Sequence, residues 1–300
     1  MNAFVGSVGR IGSVGVARLA DYLELTKPRI AVLVLITVVV GASSARWGQP
    51  DPWSMLHAVL GTALVAASAS AMNQWWERKT DRLMRRTFDR PLAAGRLAAR
   101  EVLVFGATLA IVGIFDLLFF TNLLTASLAV ITWASYVLIY TPMKRRTHWN
   151  TLVGAIGGAL PVLIGWASTG ASFDARAVAL FLLIFLWQFP HFMAIAWLYR
   201  RQYANAGIQM ITVTDPTGRR AGHQALLGAI AVIPVSLVPA ALSPPSLVYL
   251  LVATALGVIQ LGCAIRFTIR QDELTSRRLL HISLVYLPAV LILLAWVPFL

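Results

Sequence analysis

Nine stretches of this chain are apolar over the length of a membrane crossing, and they constrain the fold more than any other feature. Each can span roughly 30 Å of hydrocarbon as a helix. Hydrophobic residues make up 58% of the chain and charged residues 12%, more apolar surface than a soluble protein of this size can bury. The sequence predicts an all-α integral membrane protein, a bundle of nine transmembrane helices with its active site in cytoplasmic loops. The predicted spans are 29–45, 53–74, 102–120, 122–140, 151–168, 177–198, 223–243, 245–265 and 280–300.

Lysine and arginine are divided unequally between the two sides of these spans. Of the 25, only Arg46 and Arg176 fall on the side away from the N-terminus. Cytoplasmic loops carry the excess of basic residues in membrane proteins. The sequence therefore predicts a multi-pass protein of the cell inner (cytoplasmic) membrane, with the N-terminus cytoplasmic and the C-terminus on the opposite side. A net charge of +13 would suggest nucleic acid in a soluble protein, but here the distribution of the charge matters more than its size. We expect the lipid bilayer as a partner and no nucleic acid.

The first 20 residues, rich in Gly, Ser and Val, lack the apolar core of a cleavable signal. We predict a mobile tail over 1–20 and a single membrane domain over 21–300, with a short organellar transit segment as the alternative for the tail. The single cysteine, Cys263, excludes an intramolecular disulfide.

Three polar residues recur every four positions where the second span ends. Asn73, Glu77 and Asp81 would share one face of a helix. Two carboxylates and an amide oxygen suit Mg²⁺, which often takes one or two carboxylates together with substrate phosphate oxygens. Nearby arginines fit phosphate. A solvated helix with internal ion pairs is the alternative, but a membrane-entering amide such as Asn73 is expensive unless it is used.

The chain resembles the UbiA superfamily of intramembrane prenyltransferases, and within it the protohaem IX farnesyltransferases. The resemblance runs from about residue 20 to the C-terminus. Its motifs are Asn73-x-x-x-Glu77-x-x-x-Asp81, Arg86-Thr87-x-x-Arg90-Pro91-Leu92, Lys27-Pro28-Arg29, Tyr140-Thr141-Pro142-Met143-Lys144-Arg145 and Trp187-Gln188-Phe189-Pro190-His191-Phe192.

The resemblance implies an enzyme that transfers a farnesyl group from farnesyl diphosphate to a vinyl group of haem b, giving haem O and diphosphate for terminal oxidases. It implies Mg²⁺ as cofactor, haem b as a substrate, and other proteins of haem A synthesis or oxidase assembly as candidate partners. Asn73, Glu77 and Asp81 would be metal-binding and catalytic, and Lys144 catalytic. The implied substrate-binding residues are Lys27, Arg29, Arg78, Arg82, Arg86, Arg90, Tyr140, Arg145, Trp187, His191, Arg200, Arg201, Gln202 and Tyr203.

The chain departs from the family pattern after the sixth span. Gln202 stands where the second acidic motif usually has an aspartate, and no carboxylate follows until Asp215. A second Mg²⁺ site would then depend on the Gln202 carbonyl oxygen, with Arg200 and Arg201 binding diphosphate directly. A degenerate paralogue is the alternative.

Other polar residues in the spans have simpler interpretations. An ionisable side chain inside a membrane indicates function by default, and the resemblance implies haem contact or ligation by His191; a hydrogen-bonded core histidine is the alternative. We expect His57 to be solvated at a span end and Asp116 to reach the headgroups. The run Gly154, Gly157 and Gly158 favours close helix packing.

Two other functions compete with haem farnesylation. The first is prenylation of a small aromatic acceptor, against which the motif around His191 argues. The second is a carrier, which would be expected to show an internal repeat or polar groups on both membrane faces. This chain concentrates its polar residues on one face, as an interfacial enzyme would.

Overall fold

The computed structural model describes residues 17–47, 49–242 and 246–296, and within these ranges nine helices are long and apolar enough to cross a membrane. This confirms the predicted all-α membrane fold. The helices are α1 (Pro28–Ala45), α2 (Pro52–Asp81), α3 (Ala99–Phe120), α4 (Leu123–Met143), α5 (Asn150–Ser168), α6 (Ala175–Leu198), α7 (Arg219–Ala241), α8 (Leu247–Arg270) and α9 (Glu273–Trp296).

The largest differences from the predicted spans lie at charged helix ends. Helix α2 continues to Asp81 instead of ending at 74, and α9 begins at Glu273 instead of 280. Hydropathy falls where charged residues begin, but backbone hydrogen bonding continues into the polar interface. A short helix over 17–25 includes four residues that we assigned to the tail; residues 1–16 and the predicted link 243–245 lie outside the described residues.

Segments 82–98, 144–149, 199–218 and 271–272 follow α2, α4, α6 and α8 on one side of the bundle, here termed the charged face. They contact one another: the backbone N–H of Gln209 donates to the Lys144 carbonyl over 2.7 Å, and Met84 packs in one apolar cluster with Tyr203. These segments therefore meet beyond the helix ends.

Helix α4 widens into a π-helical turn over Ser135–Tyr140 just before the charged face. Pro142 has no N–H to donate into a helix and its ring crowds the carbonyl four residues earlier. The wider turn accommodates it, with the Thr141 hydroxyl donating to the Tyr136 carbonyl over 2.8 Å. Such turns often occur at functional sites, and here it directs Thr141 towards α2.

Glycines allow α1 and α5 to pack backbone against backbone. A Cβ atom added to Gly41 would lie 2.0 Å from the Val162 carbonyl oxygen, and one added to Gly165 would lie 1.9 Å from that of Val38. The predicted packing role of Gly154, Gly157 and Gly158 is confirmed, because added Cβ atoms would meet Tyr140, Ser135 and Gln188. Beside this crossing, the main apolar core joins α1, α5, α6 and α9.

Away from the charged face, His57 of α2 pairs with Asp116 of α3. The His57 Nδ1 lies 2.9 Å from the Asp116 Oδ1, and its ring stacks on Phe120 at 4.3 Å between centroids. Our expectations for both residues were wrong: His57 is buried, with 8% of its surface exposed, and Asp116 turns to it rather than to the headgroups. Pairing inside the bundle reduces the cost of desolvating two polar groups.

We expect Gly165→Ala to destabilise the protein by about 1–3 kcal/mol, because α1 and α5 must separate to admit the methyl group. Gly262→Ala is the control, since an added Cβ there has no neighbouring atom within 4 Å. The measurement is the unfolding free energy in detergent. Equal stability of the two variants would contradict the close crossing.

Candidate active site

The three oxygen-bearing residues of the sequence motif lie on one face at the end of α2, as predicted. The helix is continuous through Asp81. Asn73 and Asp81 are each 1% exposed, and the Glu77 side chain is 12% exposed. Two carboxylates and an amide therefore line a face that is almost shielded from water, which we call the oxygen stripe.

A cation contacts each member of the oxygen stripe. The Lys27 Nζ donates to the Asn73 Oδ1 over 3.0 Å. The Lys144 Nζ donates to the Glu77 Oε1 over 2.7 Å, and lies 4.6 Å from the centre of the Tyr140 ring. These contacts bring the segments before α1 and after α4 onto α2.

The third cation, Arg90, comes from the segment 82–98. Its Nη1 donates to the Asp81 Oδ2 over 2.8 Å, and the Thr87 hydroxyl donates to the Asp81 carbonyl over 3.0 Å. Arg96 fixes the far end of the segment by pairing with three carboxylates, those of Asp21, Glu24 and Asp89. The segment is therefore held on the charged face at both ends.

The charged states of the two lysines differ because their surroundings differ. Burial, with repulsion from Arg90, lowers the pKa of Lys27 to about 7. Burial also disfavours the charged form of Lys144, but attraction to the Glu77 carboxylate prevails and raises the pKa of Lys144 above its usual value. Lys144 is thus a fixed positive charge, whereas Lys27 is partly neutral near pH 7.

A cavity of about 350 Å³ opens beside Glu77 and Lys144. Its other lining residues are Trp76, Thr80, Thr141, Pro142, Arg145, Arg146 and Ile208. Arg145 and Arg146 are exposed at its rim, where guanidinium groups suit an anionic ligand. Sequence reasoning missed Arg146 and the Thr141 hydroxyl, which accepts from the Asn73 Nδ2 over 3.2 Å.

The short helix Arg200–Asn205 carries the residues of the degenerate second motif. The Gln202 Oε1 is buried and has no hydrogen-bond partner within the described residues, and the same is true of the Asp81 Oδ1. Buried acceptors of this kind normally have partners. The Tyr203 hydroxyl lies 3.5 Å from the Arg86 Nη2, so this helix faces the segment that follows Asp81.

Of the predicted substrate-binding arginines, three donate to backbone carbonyls and two are exposed. Arg78 and Arg82 donate to the carbonyls of Trp75 and Ala93, and Arg200 donates to that of Trp197. Arg29 and Arg201 are exposed. Contact of these five arginines with substrate stays a prediction, and for the first three it requires the side chain to leave its carbonyl partner.

Trp187 and His191 lie deeper in the bundle and do not line the cavity beside Glu77. Their rings stack at 4.8 Å between centroids. The His191 Nδ1 lies 2.9 Å from the Ser283 Oγ, and the Trp187 Nε1 donates to the Ser283 carbonyl over 2.7 Å. Sequence reasoning missed Ser283, because nothing near it in sequence indicates a polar partner.

Residues 34–297 match the family model of the UbiA prenyltransferase family. The chain belongs to the UbiA prenyltransferase family. It is 44% identical over 279 residues to a protoheme IX farnesyltransferase of Solibacter usitatus, a match that covers 90% of this chain and 96% of that protein. It is 41% identical to a protein of the same name from Rhodopirellula baltica, covering 90% and 97%.

Solved structures share the fold. A digeranylgeranylglyceryl phosphate synthase superposes with a TM-score of 0.78 at 18% identity, covering 94% of this chain and 99% of the other. A UbiA homolog from Archaeoglobus fulgidus, solved with GPP and Mg²⁺ bound, superposes with a TM-score of 0.65 at 16% identity, covering 92% and 100%. At these identities the likeness concerns the helix arrangement alone.

The contribution of the Lys144–Glu77 ion pair to protein stability can be tested by substitution. We expect Lys144→Met to destabilise the Mg²⁺-free protein by about 3–5 kcal/mol, because it leaves a buried carboxylate without its partner. Lys144→Met combined with Glu77→Gln should lose less. The measurement is the unfolding free energy in detergent.

Arg277→Met is the matched control. It breaks the Arg277–Glu273 pair, whose side chains are 60% and 71% exposed, and should cost less than about 1 kcal/mol. A double variant at least as unstable as Lys144→Met would mean that Lys144 and Glu77 are not coupled.

Proposed function

We propose that this protein transfers a farnesyl group from farnesyl diphosphate to a vinyl group of haem b, with addition of one water molecule, giving haem O and diphosphate. One observation carries the proposal: a buried oxygen stripe with cations on every member lies beside a cavity with an arginine rim, at the membrane boundary. The named function of relatives at 41–44% identity supports haem b as the acceptor.

The oxygen stripe fits a Mg²⁺ ion. Asp81 keeps one buried oxygen without a partner, and Glu77 stands one helical turn away on the same face. Within the described residues no group of three or more His, Cys, Asp or Glu could hold a metal, so phosphate oxygens and water would complete the coordination. When bound, Mg²⁺ would withdraw charge from the diphosphate and make it a better leaving group.

Residues around the oxygen stripe would stabilise the remaining negative charge of the diphosphate and limit the access of water. Lys144 and Arg90, fixed by their carboxylates, present positive charge where negative charge grows as the diphosphate leaves. Arg145 and Arg146 at the cavity rim would bind its outer oxygens. The surrounding helices would exclude water from the allylic carbon until the new carbon–carbon bond forms. One water molecule would then add to the cation left on the former vinyl group and release a proton, giving the hydroxyl of haem O.

An apolar groove offers a place for the farnesyl chain. It has a volume of about 710 Å³ and lies between α1 and α9, lined by residues that include Val32, Leu35, Ile36, Leu291 and Trp296. Burial of a hydrocarbon chain against such side chains is favourable. His191, inside the bundle, would contact the haem acceptor.

We propose the cell inner membrane as the location, with the charged face and the N-terminus in the cytoplasm. The support is the distribution of lysine and arginine: among the residues that the structure describes, only Arg46 and Arg176 lie on the other side. Both are held there: Arg46 donates to the Thr169 carbonyl, and Arg176 stacks between the rings of Trp47 and Trp166.

The proposed reaction is tested with purified protein, farnesyl diphosphate, haem b and Mg²⁺, and haem O is detected by mass. We expect Glu77→Gln and Asp81→Asn each to reduce the rate at least 100-fold, because each removes a charged ligand and leaves a cation unpaired. The thermal midpoints should confirm that the variants are folded.

Asp89→Asn is the matched control, because Asp89 lies on the segment 82–98 that follows α2 and its side chain is 81% exposed. It should keep near wild-type activity. Mg²⁺-dependent farnesyl transfer by the double variant Glu77→Gln/Asp81→Asn would disprove the metal site. If the wild-type protein does not farnesylate haem b but does prenylate a small aromatic acceptor, haem b is not its substrate.

Gln202 generates a separate prediction. A neutral amide holds a dication less tightly than a carboxylate, so Gln202→Asp should lower the Mg²⁺ concentration needed for half-maximal rate. The measurement is a Mg²⁺ titration at fixed farnesyl diphosphate, with Gln202→Asn as the uncharged comparison. Identical curves for wild type and Gln202→Asp would show that position 202 does not face the metal.

A further inference from the structure

Ser283 is a fully buried hydroxyl residue that contacts the one ionisable side chain in the middle of α6. It has no exposed surface, and its Oγ lies 2.9 Å from the His191 Nδ1. The contact joins α9 to α6 inside the membrane. A serine hydroxyl in a transmembrane helix can satisfy its hydrogen bond with a carbonyl of the preceding turn. The additional contact of Ser283 with an imidazole therefore needs an explanation.

The direction of the hydrogen bond follows from counting protons. A serine hydroxyl has one proton and two lone pairs. The Ser283 Oγ is 2.7 Å from the Leu280 carbonyl oxygen, which can only accept. The proton is therefore committed to Leu280, and the oxygen presents a lone pair to the histidine. The His191 Nδ1 must then carry a proton, which leaves the Nε2 of the neutral ring with a free lone pair.

Trp187 fixes the orientation of the same imidazole. Its ring lies at 20° to that of His191, and its Nε1 donates to the Ser283 carbonyl over 2.7 Å. Ser283 thus contacts both aromatic partners, one through its side chain and one through its backbone. With one nitrogen hydrogen-bonded and one face covered, the imidazole has little freedom to rotate.

The Nε2 of His191 is left open to a ligand. It makes no hydrogen bond within the described residues and is not one of their fully buried, unpartnered polar atoms. On the same helix, Gln188 donates to the Ala155 carbonyl of α5, whereas His191 contacts α9 through Ser283. The groove assigned to the farnesyl chain is bounded by α1 and α9.

We propose that Ser283 is a positioning residue: it holds His191 as the Nδ1–H tautomer, so that Nε2 can ligate the iron of the haem acceptor. The identity of the ligand depends on the proposed function, whereas the tautomer does not. Histidine ligands of metals commonly donate their other N–H to a neighbouring acceptor, which sets the tautomer and ring orientation. In this bundle the acceptor comes from α9, more than 90 residues after His191.

The tautomer can be measured on the full-length protein without haem. Nitrogen-15 NMR of histidine-labelled protein in detergent distinguishes a protonated Nδ1 from a protonated Nε2, and His191→Gln assigns the signal by its loss. We expect the Nδ1–H form for His191 in the wild type. In Ser283→Ala, which removes one oxygen atom, the signal should shift towards the Nε2–H form or a mixture.

Ser276→Ala is the matched control. Ser276 is a fully buried serine of the same helix, and its hydroxyl donates to the Asp272 carbonyl over 2.7 Å. Its removal should leave the His191 signal unchanged. An Nε2–H wild type would overturn the proposal, and so would an Nδ1–H signal that is the same in wild type and Ser283→Ala.

Haem titration followed at the Soret band tests the ligand. We expect His191→Gln to lose the histidine-ligated spectrum, and Ser283→Ala to weaken haem binding about tenfold, with Ser276→Ala unchanged. A Soret spectrum and affinity indifferent to both His191→Gln and Ser283→Ala would overturn haem ligation. The haem O assay distinguishes failure of the ligand proposal from failure of the proposed function. If His191→Gln transfers farnesyl and has an unaltered haem spectrum, His191 does not ligate haem, and the proposed reaction is retained.

Discussion

Neutralising a row of oxygen atoms inside a membrane bundle is the constraint on which this site depends. A carboxylate taken out of water is costly unless a cation and hydrogen bonds replace the solvent. Glu77 and Asp81 meet that requirement through Lys144 and Arg90, each within 2.8 Å. Because the partners come from different parts of the chain, satisfying the oxygens also assembles the site.

The helix arrangement serves this assembly. The π-helical turn in α4 directs Thr141 and Lys144 to α2, and the segment after α2 doubles back so that Arg90 reaches Asp81. On the other side of the bundle, α1 and α5 cross at Gly41 and Gly165 with no side chains between them. Rigid packing there and ionic contacts at the charged face together fix the geometry in which a diphosphate would be bound.

The sequence was sufficient for features that depend on local periodicity. Asn73, Glu77 and Asp81 share a face because a helix repeats every 3.6 residues, and the nine spans follow from apolar length. Contacts between distant segments were not predictable: nothing in the sequence pairs His57 with Asp116, or His191 with Ser283. Such pairs form because the fold brings residues that are distant in sequence close together. The same holds for Arg78 and Arg82: their clustering with other arginines beside the acids suggested phosphate binding, but their guanidinium groups donate to backbone carbonyls.

The charge balance of the site explains how it could function with Gln202 where the second acidic motif usually has an aspartate. Around the oxygen stripe, Lys27, Lys144 and Arg90 face only two carboxylates, so the site has an excess of positive charge, reduced because burial lowers the pKa of Lys27 to about 7. A diphosphate carries more negative charge than one Mg²⁺ neutralises, and this excess of cations would compensate the remainder. With Gln202 in place of an acid, a second Mg²⁺ would have no carboxylate ligand at position 202. The negative charge of the diphosphate would already be compensated by the first Mg²⁺ and the surrounding cations. Under the proposed function, the arginines and lysines of this chain would therefore take over part of the charge that a second metal ion would otherwise supply.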